Sequence, residues 1–397
     1  MTMPCKPAAV TPVVFRELPE HETIWSMTSG IKGEIYVGIC CEMTGGVSAY
    51  LARLNPDSGK TDYLLEVATA LGVPAENGQA THAKVHFCLM QDDDGLIYAA
   101  THCTGAPLND FIWRPWNCWT HPQKHFSGSG ILIYDPYKDN VLFSDIFLPR
   151  EGSRCMALAS KRKKIYGISY PRDHFFIYDI AKKELKDAGR IGSINPECMF
   201  IDAQENAYTT DDYGNILKYD ADREEIVELG VQLPHAPFRD GFHNVFYDIA
   251  PCPDGESVMG VTWTFGDRLF RYDYKKNKIY DYGNAYGKEE EEWFHIINTH
   301  TAGLIFGRDG LCYYCSNLID NGKSTPHLIR VNVETGQKED LGAILYQGRP
   351  TDHFSRAAND ANGNLYFAET GACPTKLFKY TPENKSKLHK NIRRYWG

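Results

Sequence analysis

One short phrase recurs about seven times along the chain, and this repetition limits what the chain can fold into. Each copy joins an apolar run, a turn rich in Asp, Asn and Gly, a strand-like run around a tyrosine, and a further run that often closes on Tyr-Asp. The central parts of the copies read GEIYVGIC, DGLIYAATH, KKIYGISY, ENAYTTDD, ESVMGVTW, GLCYYCSN and GNLYFAET. Self-similarity at about 40–60 residues, built from short strands and turns, is typical of a β-propeller. We therefore predict an all-β fold, a seven-bladed β-propeller with four-stranded antiparallel blades around a central channel.

The repeats also predict that the whole chain forms one domain. A length of 397 residues would by itself favour two or three domains. Blades of one ring, however, cannot bury their sheet faces separately. The predicted blades span approximately 24–75, 82–150, 151–192, 193–234, 240–287, 294–346 and 350–385. A strand-like run at 11–18 precedes them, and we expect it to pair with the last blade and so close the ring.

Composition restricts the partners. The formal net charge is -9 at pH 7, whereas nucleic-acid binding depends on Lys and Arg that neutralise phosphates, so we expect no nucleic acid. No run approaches the roughly 20 apolar residues of a transmembrane helix, so we expect no membrane. The first residues lack the features of a signal peptide, which predicts a cytoplasmic protein as written and a secreted one if a signal has been removed. The oligomeric state stays open, with a monomer favoured.

The register of the repeats predicts which residues meet at one end of the ring. Consecutive strands of a blade are antiparallel, and the Gly-containing turn joins strands one and two at one end. The start of strand one and the end of strand two therefore lie together at the other end. In blades two and three these positions hold His86 and Arg154 at the start, and His102 and Tyr170 at the end. We expect these four side chains to converge on one rim of the channel.

Blade two carries a long insertion, 103–130, which should emerge on the rim that holds His102. It contains Trp113, Trp116 and Trp119. An aromatic loop over a polar channel suits a sugar, whose CH face stacks on indole while its hydroxyls form hydrogen bonds at the edge. The alternative is a loop that folds on its own tryptophans as a small hydrophobic cap.

Further side chains are predicted to reach the same rim and to bind substrate. With the three tryptophans, the candidates are His82, Arg239, His243, Trp263, His300 and Arg356. Any single His or Tyr at a strand end is more simply explained as a cap on the sheet. Convergence of four such groups on a channel mouth favours a functional site, because binding groups usually lie at strand ends and loops of a rigid scaffold.

Two histidines, an arginine and a tyrosine suit β-elimination on a uronic acid, which removes the proton at C5 and expels the group on O4. Arg154 would offset the charge of the carboxylate. A histidine is the side chain whose pKa lies nearest working pH and can serve as the base. We predict His86 and His102 as the acid–base pair, in either order, with Tyr170 supporting them or acting as the acid.

The pattern K-x-H…DG-L-I-Y-x-A-T-H (Lys84, His86 and Gly95 to His102) and the following blade, Tyr166 to Asp179, resemble the seven-bladed propeller polysaccharide lyases. The chain looks most like the L-rhamnose-α-1,4-D-glucuronate lyases, which release a rhamnose cap from glucuronate on arabinogalactan-type glycans such as gum arabic. Ulvan and oligogalacturonate lyases are similar in architecture. The specific part of the resemblance is confined to blades two and three.

The resemblance implies a carbon–oxygen lyase acting on uronic-acid-containing oligo- or polysaccharides. It implies Arg154 as the neutralising residue, with His86, His102 and Tyr170 as catalytic residues. No cofactor is required, and a divalent metal (calcium, zinc or manganese) stays open because some relatives bind one. A channel capped by the insertion would favour exo action, since a closed pocket cannot thread a polymer.

Two other interpretations stay open. A non-catalytic glycan- or protein-binding propeller would use the same tryptophans without the histidines and the arginine, and fold does not imply function. A metal-dependent lactonase- or epimerase-like propeller enzyme would need carboxylates and amides at the channel, such as Glu197, Asp212 and Asn317.

Overall fold

The computed structural model describes residues 6–42, 47–73, 79–103, 117–193, 197–235, 244–263, 268–286, 300–320 and 323–383. Within these ranges the chain is almost entirely β-strand, arranged as consecutive four-stranded antiparallel sheets, the blades. No helix of this part of the chain has the length and apolar character needed to cross a bilayer.

The first strand, β1 (Val10–Val14), precedes the blades. Blade one comprises β2 (Thr23–Ser29), β3 (Ile35–Cys40), β4 (Tyr50–Leu54) and β5 (Thr61–Glu66), followed by the short helix α1 (Val67–Ala70). Blade two comprises β6 (Leu89–Gln91), β7 (Ile97–Ala100), helix α2 (Asn117–Thr120), β8 (Gly128–Asp135) and β9 (Asn140–Pro149). Blade three comprises β10 (Gly152–Ala159), β11 (Lys164–Tyr170), β12 (His174–Asp179) and β13 (Glu184–Arg190). Blade four comprises β14 (Phe200–Ile201), β15 (Ala207–Thr210), β16 (Asn215–Asp220) and β17 (Glu225–Gln232).

Blade five comprises β18 (Phe246–Pro251), β19 (Ser257–Thr262), β20 (Arg268–Asp273) and β21 (Lys278–Asn284). Blade six comprises β22 (Thr301–Phe306), β23 (Cys312–Asp320), β24 (Lys323–Val331) and β25 (Lys338–Ala343). A small hairpin of β26 (Leu345–Tyr346) and β27 (Arg349–Pro350) follows. Blade seven comprises β28 (His353–Asn359), β29 (Leu365–Thr370) and β30 (Lys376–Tyr380).

The two ends of the chain meet in blade seven. Strand β1 pairs antiparallel with β30, from Val10 opposite Tyr380 to Val14 opposite Lys376, and so completes that blade with a fourth strand. The predicted closing role of the run at 11–18 is therefore confirmed, with the strand itself at 10–14. The strand pairing confirms the all-β propeller and is consistent with seven blades.

Position in the blade determines how deeply a strand is buried. Every residue of β3, β19 and β29 is buried, because both faces of these strands pack against neighbouring blades. The sequences of such strands are mostly apolar throughout, without an alternation of apolar and polar residues. The fourth strands face solvent, and β17 accordingly alternates exposed and half-buried residues. The insertion in blade two is shorter than predicted, because β8 already begins at Gly128.

A repeated hydrogen-bonding device holds the turns at one end of the ring. In blade two the buried Asp92 accepts the backbone N–H groups of Asp94 (3.0 Å) and Leu96 (2.8 Å) and the hydroxyl of Tyr98 (3.1 Å). The same three contacts recur in blades four and seven, at Asp202 with Gln204, Asn206 and Tyr208, and at Asp360 with Asn362, Asn364 and Tyr366. In these three blades the tyrosine that marks the repeats in sequence thus stabilises the turn end of the ring.

Candidate functional site

The inner strands carry β-bulges at the end of the channel opposite these turns, which we call the mouth. In blades one, three and five the antiparallel register skips one residue, at Trp25, Arg154 and Tyr247 respectively. A bulge leaves a residue outside the ladder and re-aims its side chain, which is why bulges are frequent beside active sites. The bulges therefore place three side chains of different chemistry at equivalent positions of the mouth.

His86 lies just before β6 and is only 1% exposed. Its Nδ1 lies 2.7 Å from the backbone carbonyl oxygen of Arg154, which can only accept a hydrogen bond. The proton of the neutral ring is therefore on Nδ1 and the lone pair on Nε2. Burial, followed by the positive charges of Arg154 and Lys84, holds the pKa of His86 well below 6.5, so the ring is neutral at pH 7. This arrangement prepares Nε2 to accept a proton.

His102, at the end of strand two, has an unsatisfied ring. Among the described residues neither Nδ1 nor Nε2 finds a hydrogen-bond partner, although the side chain is fully buried. Its backbone is fixed by reciprocal hydrogen bonds with Lys84, of 2.8 and 3.0 Å. A Cβ at Gly152 would approach Nδ1 to 1.9 Å, so only glycine leaves room for the imidazole. Buried polar atoms are normally paired, and an exception deserves a functional explanation.

The four predicted catalytic residues are brought together. The His102 ring centroid lies 5.6 Å from that of His86 and 5.0 Å from that of Tyr170. The Arg154 guanidinium lies 5.4 Å from the Tyr170 ring centre. Burial raises the pKa of Tyr170, which keeps the phenol neutral. Trp119, the third tryptophan of the insertion, lies beside His102 and Tyr170, with centroids 5.5 and 5.3 Å away.

Glu197 of blade four connects Arg154 with His86. Its Oε1 forms a short ion pair with Nη2 of Arg154, and its Oε2 lies 3.9 Å from Nε2 of His86. The carboxylate is buried, whereas the Arg154 side chain keeps 11% of its surface exposed. The Nε of Arg154 has no partner within the described part of the chain. Arg154 is therefore a fixed cation with a small part of its side chain exposed.

A second ion pair, between a buried lysine and a half-buried glutamate, lies on the blade-one side of His86. The Lys84 Nζ is 2.7 Å from Oε1 of Glu42 and 4.8 Å from the Trp25 ring centre. The Trp25 indole donates to Oε2 of Glu42 at 2.8 Å and lies 5.0 Å from His86, centroid to centroid. Burial disfavours the Glu42 carboxylate, but Lys84 outweighs this and lowers the pKa of Glu42. The pair keeps a positive charge beside the histidines.

Blades five, six and seven contribute a second group to the mouth. The Tyr247 hydroxyl forms a short hydrogen bond with Nε2 of His300, and the Tyr247 ring stacks on Trp263 with centroids 5.9 Å apart and planes 9° apart. His353 lies 4.7 Å from His300, centroid to centroid, and its Nδ1 is 2.8 Å from Asp352. Burial, and then the charge of His353, lowers the pKa of His300 well below 6.5.

Phe87 separates the two groups at the centre of the channel. Its ring centroid lies 4.2 Å from His86 and 6.5 Å from Tyr247. The Arg356 guanidinium packs 3.6 Å from the Phe87 ring centre and forms a short ion pair with the buried Asp248. Phe87 has a positive φ of 37°, which is costly for a bulky residue and is most often found at functional sites. Arg356, predicted to bind substrate, lies at the Phe87 side of the mouth.

The remaining predicted residues are placed as follows. His82 is buried, with Nδ1 2.8 Å from the Thr101 hydroxyl and no partner for Nε2 among the described residues, and burial lowers its pKa to about 3. Trp113, Trp116, Arg239 and His243 lie outside the described residues.

The carboxylates and amide considered for a metal site have other contacts. Glu197 pairs with Arg154, Asp212 accepts the backbone N–H of Ser193, and Asn317 donates to the Ser324 hydroxyl at 2.8 Å. Across the described ranges, no three His, Cys, Asp or Glu side chains are grouped so as to hold an ion. The residues described do not fit a metal centre.

Solved structures similar to this chain share the propeller fold at low sequence identity. The extracellular domain of a B. thetaiotaomicron protein, described as the one-component system BT4673, matches with a TM-score of 0.60 and 12% identity. That match covers 95% of this chain and 40% of the other, so this chain spans about two fifths of that structure. U3-55K matches with a TM-score of 0.57, 12% identity and coverage of 94% and 99%. The RRP9 WD40 repeats match at 0.53, 11% identity and coverage of 95% and 99%.

These matches establish the fold alone. No protein-family model matches the chain, and no curated protein matches it. The chemistry of the mouth must therefore be argued from its own residues.

Sequence reasoning missed Tyr247 and Phe87, and it named Glu197 only as a channel carboxylate for a metal site, not as the partner of Arg154. A signal for Tyr247 was present, because it stands twelve residues before Met259, as Arg154 stands before Tyr166 and His86 before Tyr98. The ion pair of Glu197 joins two blades, and no sequence spacing reports such a contact. Phe87 follows His86 in an irregular segment, where its positive φ breaks the strand alternation.

Proposed function

We propose that the protein is an oligo- or polysaccharide lyase that cleaves the bond at O4 of a uronic acid by β-elimination. The observation that carries the proposal is the neutral, buried His86, whose Nε2 lies 3.9 Å from Glu197, the carboxylate that pairs with the Arg154 guanidinium. The C5–H bond of a uronic acid is a weak carbon acid beside a carboxylate. Its deprotonation needs a base and a positive charge within one site.

Arg154 would bind the substrate carboxylate through the exposed part of its side chain and stabilise the negative charge that develops when C5 loses its proton. Glu197 holds the guanidinium in place, and Lys84 adds positive charge on the opposite side of His86. His86 Nε2 would accept the C5 proton. The double bond then forms between C4 and C5 as the bond from C4 to O4 breaks.

His102 and Tyr170 support this reaction on the same side of the mouth. The buried His102 nitrogens, which have no described partner, are available to the transferred proton. The half-buried Trp25 flanks the histidines and offers a flat surface on which a pyranose can stack, whereas Trp119 is buried in a hydrophobic cluster with Phe126. The resemblance in blades two and three suggests the L-rhamnose-α-1,4-D-glucuronate linkage of gum arabic, cleaved at chain ends.

The direct test is the ultraviolet absorbance of the unsaturated uronate, followed over gum arabic, ulvan, oligogalacturonate and heparan-type chains. We expect a rise with gum arabic that disappears in His86→Ala. A matched control is His174→Ala, which removes an ion pair on an outer strand of blade three. Tight sugar binding without product on any glycan would contradict the proposal and favour the glycan-binding interpretation.

A further inference from the structure

A cavity of about 520 Å³ lies at the turn end of the propeller, away from the mouth, and we call it the turn-end cavity. The turns that join the first two strands of blades two, three, four and five surround it. The apolar part of its lining includes the buried side chains Leu158, Ile201 and Val258. The half-buried Tyr274 forms one side, and its hydroxyl donates to the backbone carbonyl of Gly255 at 2.6 Å. A cavity of this size has room for a small ligand or for several large side chains.

The charged side chains of this lining are mostly acidic. Asp93 is exposed, whereas Asp202 and Glu205 are buried and accept backbone N–H groups. Among the described lining residues Lys161 is the one cation. Arg162, beside the lining, has its Nε 3.9 Å from Oε2 of Glu205. Carboxylates therefore outnumber cations in the lining, which favours a cationic occupant.

One stretch of the sequence has the complementary composition. Residues 384–397, which we call the basic segment, read NKSKLHKNIRRYWG and lie outside the described residues. The basic segment contains five Lys and Arg residues and neither Asp nor Glu, in a chain whose formal net charge is -9. It also contains the aromatic pair Tyr395 and Trp396. Tyr, Trp and Arg are the side chains that contribute most to protein interfaces.

The path of the chain brings the basic segment to the end of the ring that holds the cavity. In blade seven Tyr380, the last residue of β30, lies opposite Leu365, which directly follows the turn of that blade. The hydroxyl of Thr381 then donates to the side-chain oxygen of Asn364 in the same turn, at 2.8 Å. Fully extended, residues 384–397 span up to about 46 Å. A compact chain of this length has a radius of gyration of about 21 Å, so the middle of the turn end is within reach.

We propose that the basic segment binds in the turn-end cavity of the same chain, with Tyr395 and Trp396 against the apolar lining and the basic side chains beside the carboxylates. Attachment at the same end of the ring gives the basic segment an effective concentration of about millimolar order, so weak contacts are sufficient for binding. The inference is independent of the lyase reaction, which is proposed for the opposite end of the propeller.

The first test is trypsin cleavage within the basic segment of the full chain, followed by mass spectrometry. Cleavage follows the population of the unbound segment. Ala203 is exposed and lies in the cavity lining, so Ala203→Trp should fill the cavity and raise the cleavage rate about 10-fold. Trp396→Ala, which changes no described residue, should give the same increase.

Ala361→Trp is the matched control, because Ala361 is also exposed and follows Asp360 in the turn of blade seven as Ala203 follows Asp202 in blade four. It lies outside the cavity lining, so this variant should be cleaved at the wild-type rate. Equal cleavage rates in the wild type, Ala203→Trp and Trp396→Ala would overturn the proposal.

The second test is calorimetric binding of a synthetic peptide of residues 384–397 to a chain that ends at Glu383, which keeps every described strand. We expect binding that Ala203→Trp abolishes. The full chain should bind the peptide about 10-fold more weakly, because its own basic segment competes. Absence of binding to the shortened chain would overturn the proposal. Protection from trypsin that rises with protein concentration would assign the cavity to the segment of a second copy, and would overturn binding within one chain.

Discussion

In blades two, four and seven the turn end of the propeller pairs its buried polar groups, whereas the mouth leaves several of its own without a described partner. At the turn end, Asp92, Asp202 and Asp360 are buried, and each accepts the same set of backbone and tyrosine hydrogen bonds. At the mouth, the polar groups differ from blade to blade, and His102 and His300 retain nitrogens without a described partner. A repeated and satisfied polar group belongs to the scaffold. An unrepeated and unsatisfied one costs stability and is retained for another reason.

The largest effect that this comparison predicts is on turnover in Arg154→Met. Removing the cation that, in the proposed reaction, would stabilise the developing charge should lower kcat by about 10²–10³-fold. Arg162→Met is the control, because Arg162 lies at the turn end of the same blade and pairs with Asp222. Elimination rates of both variants on gum arabic provide the measurement. Equal losses of kcat in the two variants would contradict the claim that the mouth, and not the turn end, takes part in the reaction.

The second prediction concerns acid stability. Burial lowers the pKa of His82, His86, His102 and His300 below 6.5, His82 to about 3. Below pH 6.5 the unfolded chain therefore binds protons that the folded protein does not. The free energy of unfolding should fall as pH drops from 6.5, by up to about 1.4 kcal/mol per pH unit for each histidine. Urea unfolding between pH 7 and pH 5 measures how the free energy of unfolding changes with pH. The same pH dependence in His102→Phe as in the wild type would contradict the prediction.

The third prediction concerns the turn end. Asp202→Ala removes the acceptor of the Tyr208 hydroxyl and of two backbone N–H groups. Leaving buried donors unpaired should lower the free energy of unfolding by about 1–3 kcal/mol. Elimination by the folded variant should stay at the wild-type rate. Loss of activity without loss of stability would show that the turn end also takes part in the chemistry.

The smallest predicted change in the free energy of unfolding is a gain rather than a loss. The buried imidazole of His102 lies between Trp119 and Tyr170, and neither of its nitrogens has a described partner. The substitution His102→Phe puts an apolar ring in its place. Relief of the desolvation cost should raise the free energy of unfolding by about 1 kcal/mol at pH 7, while turnover is lost. Thermal unfolding and the elimination assay measure the two together. A destabilised variant would mean that His102 has a scaffold role.

The sequence predicts more of the fold than of the site. The spacing of the tyrosines was sufficient for the blades, because each repeat must present the same turn to the same end. The same spacing brought His86, Arg154, His102 and Tyr170 together, since it fixes which strand ends are neighbours. It could not reveal the pairing of Glu197 with Arg154, which depends on side chains from two blades reaching each other. The neutral state of His86 likewise follows from burial, which the sequence does not show.

The most direct test of the central claim is the histidine side-chain NMR spectrum, recorded as glucuronate is added. Single-residue variants assign the signals of His86, His102 and His300 at the mouth and of His174 and His327, which pair with Asp187 and Asp340 on outer strands. We predict that glucuronate shifts the three mouth signals and leaves the other two in place. Unchanged mouth signals, or equal shifts in all five, would contradict a uronate site at the mouth.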